Sequence, residues 1–273
     1  MIDSFDVKKA DALLELERKI VGVKLAKSKE EFEQFHAKEV ASPLAYCVAV
    51  KIAMMGTSIK FTKETSGCGG STRALGLVSP SSGFYDGSEG CKLGLYENEE
   101  IAACVSEKMK LCPADTYGVI VKPLELFEEE PDLVLMVSNS KNVMRIIQGY
   151  TYVFGMQPNF NLTGNQAMCV ECSSYPLMTD DINISLFCSG TRFLAKWKDT
   201  EVAVGMPYHK FSKVIEGVRL TVNAVEMDKR KSEIKEGLEK LGYDGNEIIF
   251  NHTYYLDLER EKREQKQNAK KKG

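Results

Sequence analysis

Histidine is scarce in this chain. Its 273 residues hold three, His36, His209 and His252, too far apart to form an H-x-x-H or H-E-x-x-H pair, so each reads as a surface or core residue and not as a metal ligand. The chain also lacks a Walker A loop, a dinucleotide fingerprint and a G-x-S-x-G elbow, so nucleotide-binding and serine-hydrolase chemistry have no local signature. No apolar run approaches the roughly 18 residues needed to span a bilayer. Net positive charge is missing too: 36 Lys and Arg face 39 Asp and Glu, a balance of −3, and without a basic excess nothing points to nucleic acid. Met1–Ala10 carries Asp3, Asp6, Lys8 and Lys9 where a secretory signal would have an apolar core. These absences predict a cytoplasmic protein with no membrane segment and no nucleic-acid partner.

Cysteine, by contrast, is abundant: Cys47, Cys68, Cys91, Cys104, Cys112, Cys169, Cys172 and Cys188. In a reducing compartment such thiols serve as buried packing, metal ligands or redox groups and not as structural disulfides.

Two short stretches read as copies. Cys68-Gly69-Gly70-Ser71-Thr72-Arg73 leads into Ala74–Leu77, and Cys188-Ser189-Gly190-Thr191-Arg192 leads into Phe193–Ala195. Each follows an earlier cysteine at similar distance, Cys47 and Cys169. The periodicities around them repeat as well. A strand at 21–25 precedes a helix capped by Ser28 with Glu31, then a Cys47 helix opened by Ser42-Pro43, a strand at 58–62 and the Cys68 turn. Later come a strand at 133–137, a helix carrying Val143, Met144, Ile146 and Ile147, a Cys169 helix, a strand at 182–187, the Cys188 turn and a strand at 202–204. The unbroken apolar run 133–137 suits a strand buried on both faces.

Around these, the spacing predicts an amphipathic helix over 5–19, a loop over 79–91, a helix from Asn98 to Leu111 and a strand from Gly118 to Val121. The fold class predicted is α/β or α+β: a duplicated cysteine-containing domain over 1–222, with pseudo-equivalent halves 20–110 and 132–215 in one globular unit. Residues 223–273 form an extension, with a helix over 226–241, a strand within 248–258 and a charged tail from Glu259 that is a solvated helix or disordered.

Four cysteines related by a duplication, facing one another across a pseudo-twofold axis, can hold an iron–sulfur cluster of the 4Fe–4S type or a zinc ion. The metal ligands expected are Cys47, Cys68, Cys169 and Cys188. Gly69 and Gly70 let the backbone approach an inorganic ligand, and Arg73 and Arg192 offset its charge. Cys172 completes a C-x-x-C that a helix would show on one face, with Glu171 between the two cysteines turned to solvent. Lys51, one turn beyond Cys47, either lowers its pKa or snorkels outward. Cys91, Cys104 and Cys112 read as structural. Three functions follow: cluster-based electron transfer or redox catalysis on a small substrate; a metal-free enzyme with a cysteine nucleophile and arginines on an anionic substrate; or a binding and assembly module.

As a set, Val21–Leu25, Cys47 with Lys51, Cys68-Gly69-Gly70 with Ala74–Leu77, Lys122–Glu125 with Pro131–Val134, Ala167-Met168-Cys169, Cys188–Arg192 and Glu201–Pro207 resemble the domain of unknown function 169 family, from about 12 to 220. The resemblance implies a cytoplasmic, cysteine-bearing protein of a kind frequent in archaea and anaerobic bacteria. It brings no assigned reaction and no catalytic residues to carry over. Cys172 and the charged C-terminal extension look particular to this chain.

Overall fold

A computed structural model describes residues 4–251 and 253–272; His252, Gly273 and the first three residues of the N-terminal reading lie outside them. The chain divides into two compact units. The first is built mainly of Glu17–Val143 and Gln157–Phe211, the second of Phe5–Leu16, Met144–Met156 and the residues from Ser212 onward.

The first unit is mixed α/β, organised by a seven-stranded mixed sheet. Its strands are β1 (Val21–Ala26), β2 (Lys38–Glu39), β3 (Ile59–Thr62), β4 (Gly118–Pro123), β5 (Leu133–Asn139), β6 (Asn183–Ser185) and β7 (Glu201–Pro207), in the order β2-β3-β4-β1-β5-β7-β6. All neighbours are antiparallel except β2 and β3. The central pair is β1 and β5, with Val21 opposite Leu135 and Val23 opposite Leu133. Val and Ile dominate these strands because branched side chains pack well on a pleated, buried surface. Val21, Val23 and Leu25 of β1 point to one face with Val119, Val121, Leu133 and Leu135, as period-two alternation requires. The helix Tyr46–Met54 lies against that face through Ala49, Val50 and Ala53, and so does the segment Ala167–Ser174 through Ala167, Met168 and Cys172. Phe32 and Phe35 pack with Ala26, Ile120 and Phe127 in a separate cluster.

Ala167–Ser174 is a π-helix, a rare conformation that favours functional sites. It lies close to β7 at Gly205, where a Cβ would stand 1.8 Å from the carbonyl oxygen of Cys172. Only glycine fits there.

In the second unit, the helix Ser140–Phe154 from Met144 onward and the helix Tyr208–Leu220 from Ser212 onward meet at Gly149 and Gly217; a Cβ on Gly217 would stand 2.2 Å from the Gly149 carbonyl oxygen. Arg145 is buried beside them, paired to Glu226 at 2.8 Å and bonded to Gln148, Thr221 and the Val218 carbonyl. One partner alone would leave a buried charge uncompensated.

Several local expectations are corrected. The first helix spans Phe5–Leu14 and stops at Glu15, whose φ is +47°. Pro43 does not open the Cys47 helix, which starts at Tyr46; Leu44 instead bridges to Ser66. The 79–91 loop contains two short helices, Ser82–Tyr85 and Ser88–Lys92. Among the described residues of 248–258 no strand forms: the 3-10 turn Gly245–Glu247 precedes them, and the helix Tyr254–Lys272 follows. Its Glu, Lys, Arg and Gln residues are strong helix formers, which overrides the short apolar run before it. Among the described residues, no helix is long and apolar enough to cross a membrane.

Candidate functional site

The short parallel bridge between Leu44 and Ser66 does more than tidy a loop. Leu44 N–H donates to Thr65 O, and Gly67 N–H donates to Leu44 O, both at 2.9 Å. The approach to Cys68 is thereby laid against the start of the Cys47 helix. Cys68 then occupies the N-cap of the helix Gly69–Ala74, its carbonyl accepting from the Ser71 and Thr72 hydroxyls.

An analogous tie operates in the later stretch. Asn183 of β6 donates through Nδ2 to the Glu171 carbonyl at 2.8 Å, fastening β6 to the π-helix that carries Cys169. The chain then passes through Phe187, whose φ of +68° is exceptional for a bulky residue. Phe187 is held there by stacking on Trp197, centroids 5.3 Å apart and planes within 7°. Cys188 follows as N-cap of the helix Ser189–Ala195, its Sγ accepting from Thr191 N–H at 3.3 Å. Such strain persists only where surrounding packing enforces it.

The helices cross-pack: the Cys47 helix contacts the Cys188 helix, and the π-helix contacts the Cys68 helix. The outcome is one cavity of about 200 Å³ lined by Cys47, Cys68, Cys169 and Cys188 together. Arg73 and Gly70 also line it; Arg192 and Gly69 do not. Arg192 is spent on the Lys198 and Leu186 carbonyls, at 2.7 and 2.9 Å, and lies over the Phe187 ring. Arg73 binds Glu89 at 2.8 Å and stacks on Phe84.

Burial pushes the Cys47 thiol up to about 11, with Cys68 and Cys188 adding to the shift against a hydrogen bond from Thr191. Burial likewise drives Cys169 well above the ordinary thiol range, reinforced by Cys68, Cys188 and Cys47. Bare thiolates are therefore disfavoured at Cys47 and Cys169. Among the described residues, no three His, Cys, Asp or Glu side chains are gathered closely enough to hold a metal ion as they stand.

The C-x-x-C reading changes. A π-helix turns less per residue than an α-helix, which carries Cys169 and Cys172 apart around the axis. Cys169 faces the cavity, while Cys172 is fully buried against the sheet. Glu171, expected in solvent, is 1% exposed. Its carboxylate accepts from Thr163 N–H at 2.6 Å, Gly164 N–H at 2.9 Å, and the hydroxyls of Thr163 and Ser185. It thus ties down the loop whose end, Asn165 and Gln166, forms part of the cavity wall.

Lys51 neither approaches the cavity nor hangs in solvent. Its Nζ donates to the carbonyls of Ala195 and Lys196, the latter at 2.7 Å, and lies 5.0 Å from the Trp197 ring centroid. Tyr46, which sequence reasoning passed over, lines the cavity and shares a 2.9 Å hydrogen bond with Ser173. Its place directly before Cys47 was the available signal. Of the cysteines read as structural, Cys112 is buried, its thiol raised by burial to about 12, whereas Cys104 is exposed.

Residues 11–217 match the model of the domain of unknown function 169 family, described as an uncharacterised ArCR, and the chain belongs to that family. It is similar to uncharacterized protein MJ0308 of Methanocaldococcus jannaschii, with 25% identity over 215 residues that cover 78% of this chain and 92% of that protein. No solved structure matches.

Proposed function

From membership of a family without an assigned reaction, and from one cavity lined by four thiols, we propose that this protein binds an iron–sulfur cluster of the 4Fe–4S type. Cys47, Cys68, Cys169 and Cys188 would hold it, and the cluster would supply one-electron chemistry for electron transfer or for redox catalysis on a small substrate. The observation that carries the proposal is the convergence of these four residues, drawn from segments 141 positions apart in the extreme case (Cys47 to Cys188), on a single cavity.

The donor set suits the group. Cys47 and Cys169, whose ionisation burial opposes, gain most from a metal core, whose positive charge deprotonates coordinating thiols outright. The same shifts weigh against Cys47 or Cys169 as a nucleophile, which needs a lowered pKa. A cluster presents several metal atoms, so its ligands need not converge on one point as they must around a single zinc ion at Zn–S of about 2.3 Å.

The origin proposed for the site is an internal duplication, with halves 20–110 and 132–215. Read outward from the central β1–β5 pair, the sheet runs β4 then β3 on one side and β7 then β6 on the other. The order strand, Cys helix, strand, Cys-capped helix, strand occurs on each side, which supports the reading. Eight free cysteines favour a reducing, cytoplasmic setting.

Anaerobic purification tests the function. The expected protein is brown and carries iron and acid-labile sulfide, and Ser at any of the four positions cuts both sharply while Cys104→Ser does not. Wild-type protein that takes up no iron even after reconstitution with iron and sulfide would remove the proposal.

A further inference from the structure

The two matching turns use their threonines differently. Thr191 stands three residues after Cys188, whereas Thr72 stands four after Cys68. That one residue decides where the hydroxyl goes. At the third position of its helix, Thr191 N–H caps Cys188 Sγ at 3.3 Å, and Thr191 Oγ1 lies 3.1 Å from the same sulfur. The Cys68 helix has Ser71 at that position. There the hydroxyls of Ser71 and Thr72 both donate to the Cys68 carbonyl, at 2.9 and 2.8 Å, and Cys68 Sγ makes no cap bond.

The Thr191 hydroxyl also bonds the Cys47 thiol, which the packing of the Cys47 helix on the Cys188 helix brings near. Thr191 lines the cavity and is buried, so water competes little for these bonds. A hydroxyl has one proton and two lone pairs. Between two thiols it can accept from Cys188 and donate to Cys47. Metal coordination strips both sulfurs of their protons and leaves them acceptors only. Thr191 then offers two donors for two sulfurs: its N–H, set on Cys188, and its hydroxyl, left for Cys47. Hydrogen bonds to an ionised acceptor are the strong ones.

We propose that Thr191 tunes the cluster, donating from its N–H to Cys188 and from its hydroxyl to Cys47, and so raises the reduction potential. Donated bonds draw charge from the thiolates and favour the more negative reduced state. The effect is one-sided, because the hydroxyl of the matching Thr72 serves the Cys68 carbonyl and Ser66, the latter at 2.7 Å, and not a sulfur. Thr191 acts through the two cysteines. The inference rests on the cluster reading, since a potential needs a redox centre; the geometry around Thr191 does not.

The test compares iron-loaded wild type, Thr191→Val and Thr191→Ser in EPR-monitored redox titrations, with iron counted per chain. Val keeps the shape and the N–H but removes the hydroxyl, and Ser keeps the hydroxyl. Thr191→Val is expected to retain iron while its equilibrium for reduction falls about tenfold, a shift of about 59 mV for one electron. Thr191→Ser is expected to return toward the wild-type potential, which a merely structural role for the side chain would not produce. A Val variant at the wild-type potential, or a Ser variant as low as Val, would overturn the inference. Should Thr191→Val lose its iron, Thr191→Ala removes the same hydroxyl without placing a methyl group against the sulfurs and is read in its place. Loss of iron from both would make Thr191 a structural residue and overturn the inference as well. Iron content keeps the two readings apart. An iron-free wild type removes the cluster and the tuning together, whereas an iron-loaded wild type whose potential ignores the Thr191 hydroxyl removes this inference alone.

Discussion

Glu171 and Cys47 show how far single residues here depart from their surface behaviour. The Glu171 carboxylate is buried and met by two N–H groups and two hydroxyls. Glu171→Gln replaces one acceptor oxygen by a donor that faces other donors. We expect a loss of about 1–3 kcal/mol and faster reaction of Cys169 with a thiol reagent as the 163–166 loop loosens. Unchanged reactivity in a stable variant would show that the loop does not depend on this carboxylate. Cys47 sets a pH dependence in the metal-free, reduced protein. Its thiol is raised from 9.0 to about 11 on folding, so the folded chain holds its proton where the unfolded chain has lost it. The stabilisation is complete below pH 9 and drains away as pH rises toward 11, by about 1.4 kcal/mol per unit. Denaturation midpoints that hold steady from pH 8 to 11 would contradict this. In the loaded protein Arg73→Ala should lower the reduction potential, because its positive charge favours the more negative reduced state. Arg192→Ala, away from the cavity, should shift it less.

At the scale of elements, the site depends on pairs of helices that exchange partners across the sequence. Lys51, on the Cys47 helix, grips the C-terminal carbonyls of the Cys188 helix, where a cation also meets the helix dipole. Lys51→Met keeps the stem and removes the grip. It should cost about 1 kcal/mol and reduce iron retention under chelator challenge, while Lys51→Arg recovers part of both. A Met variant that holds iron like wild type would show that the clamp does not set the spacing of Cys47 and Cys188. Gly205→Ala forces a Cβ onto the Cys172 carbonyl. Overpacking of this kind costs about 1–3 kcal/mol or more, visible as a lower thermal midpoint.

For the whole molecule, the charged end can be removed. From Glu259 to Lys270 every residue is exposed, and the one ion pair described there, Arg263 to Glu259, lies on the surface and contributes little. Truncation after Leu258 should shift stability by no more than about 0.5 kcal/mol. A drop of many degrees would show that this helix docks.

The sequence alone determined the family, the mixed α/β class and most strands, because a strand's burial is written in short-range alternation or in unbroken apolar runs such as 133–137. It also singled out Cys47, Cys68, Cys169 and Cys188, since the matching turns repeat locally. Only the tertiary structure decided that these four share a cavity. That depends on β1 pairing with β5 and on helices packing across a hundred residues, neither of which leaves a local trace. It likewise decided that Cys172 and Glu171 turn inward, because a π-helix is not legible from composition and rotates side chains off the face that α-helical spacing assigns. Arg192 was drawn away from the site by two backbone carbonyls, acceptors that no side-chain pattern reveals.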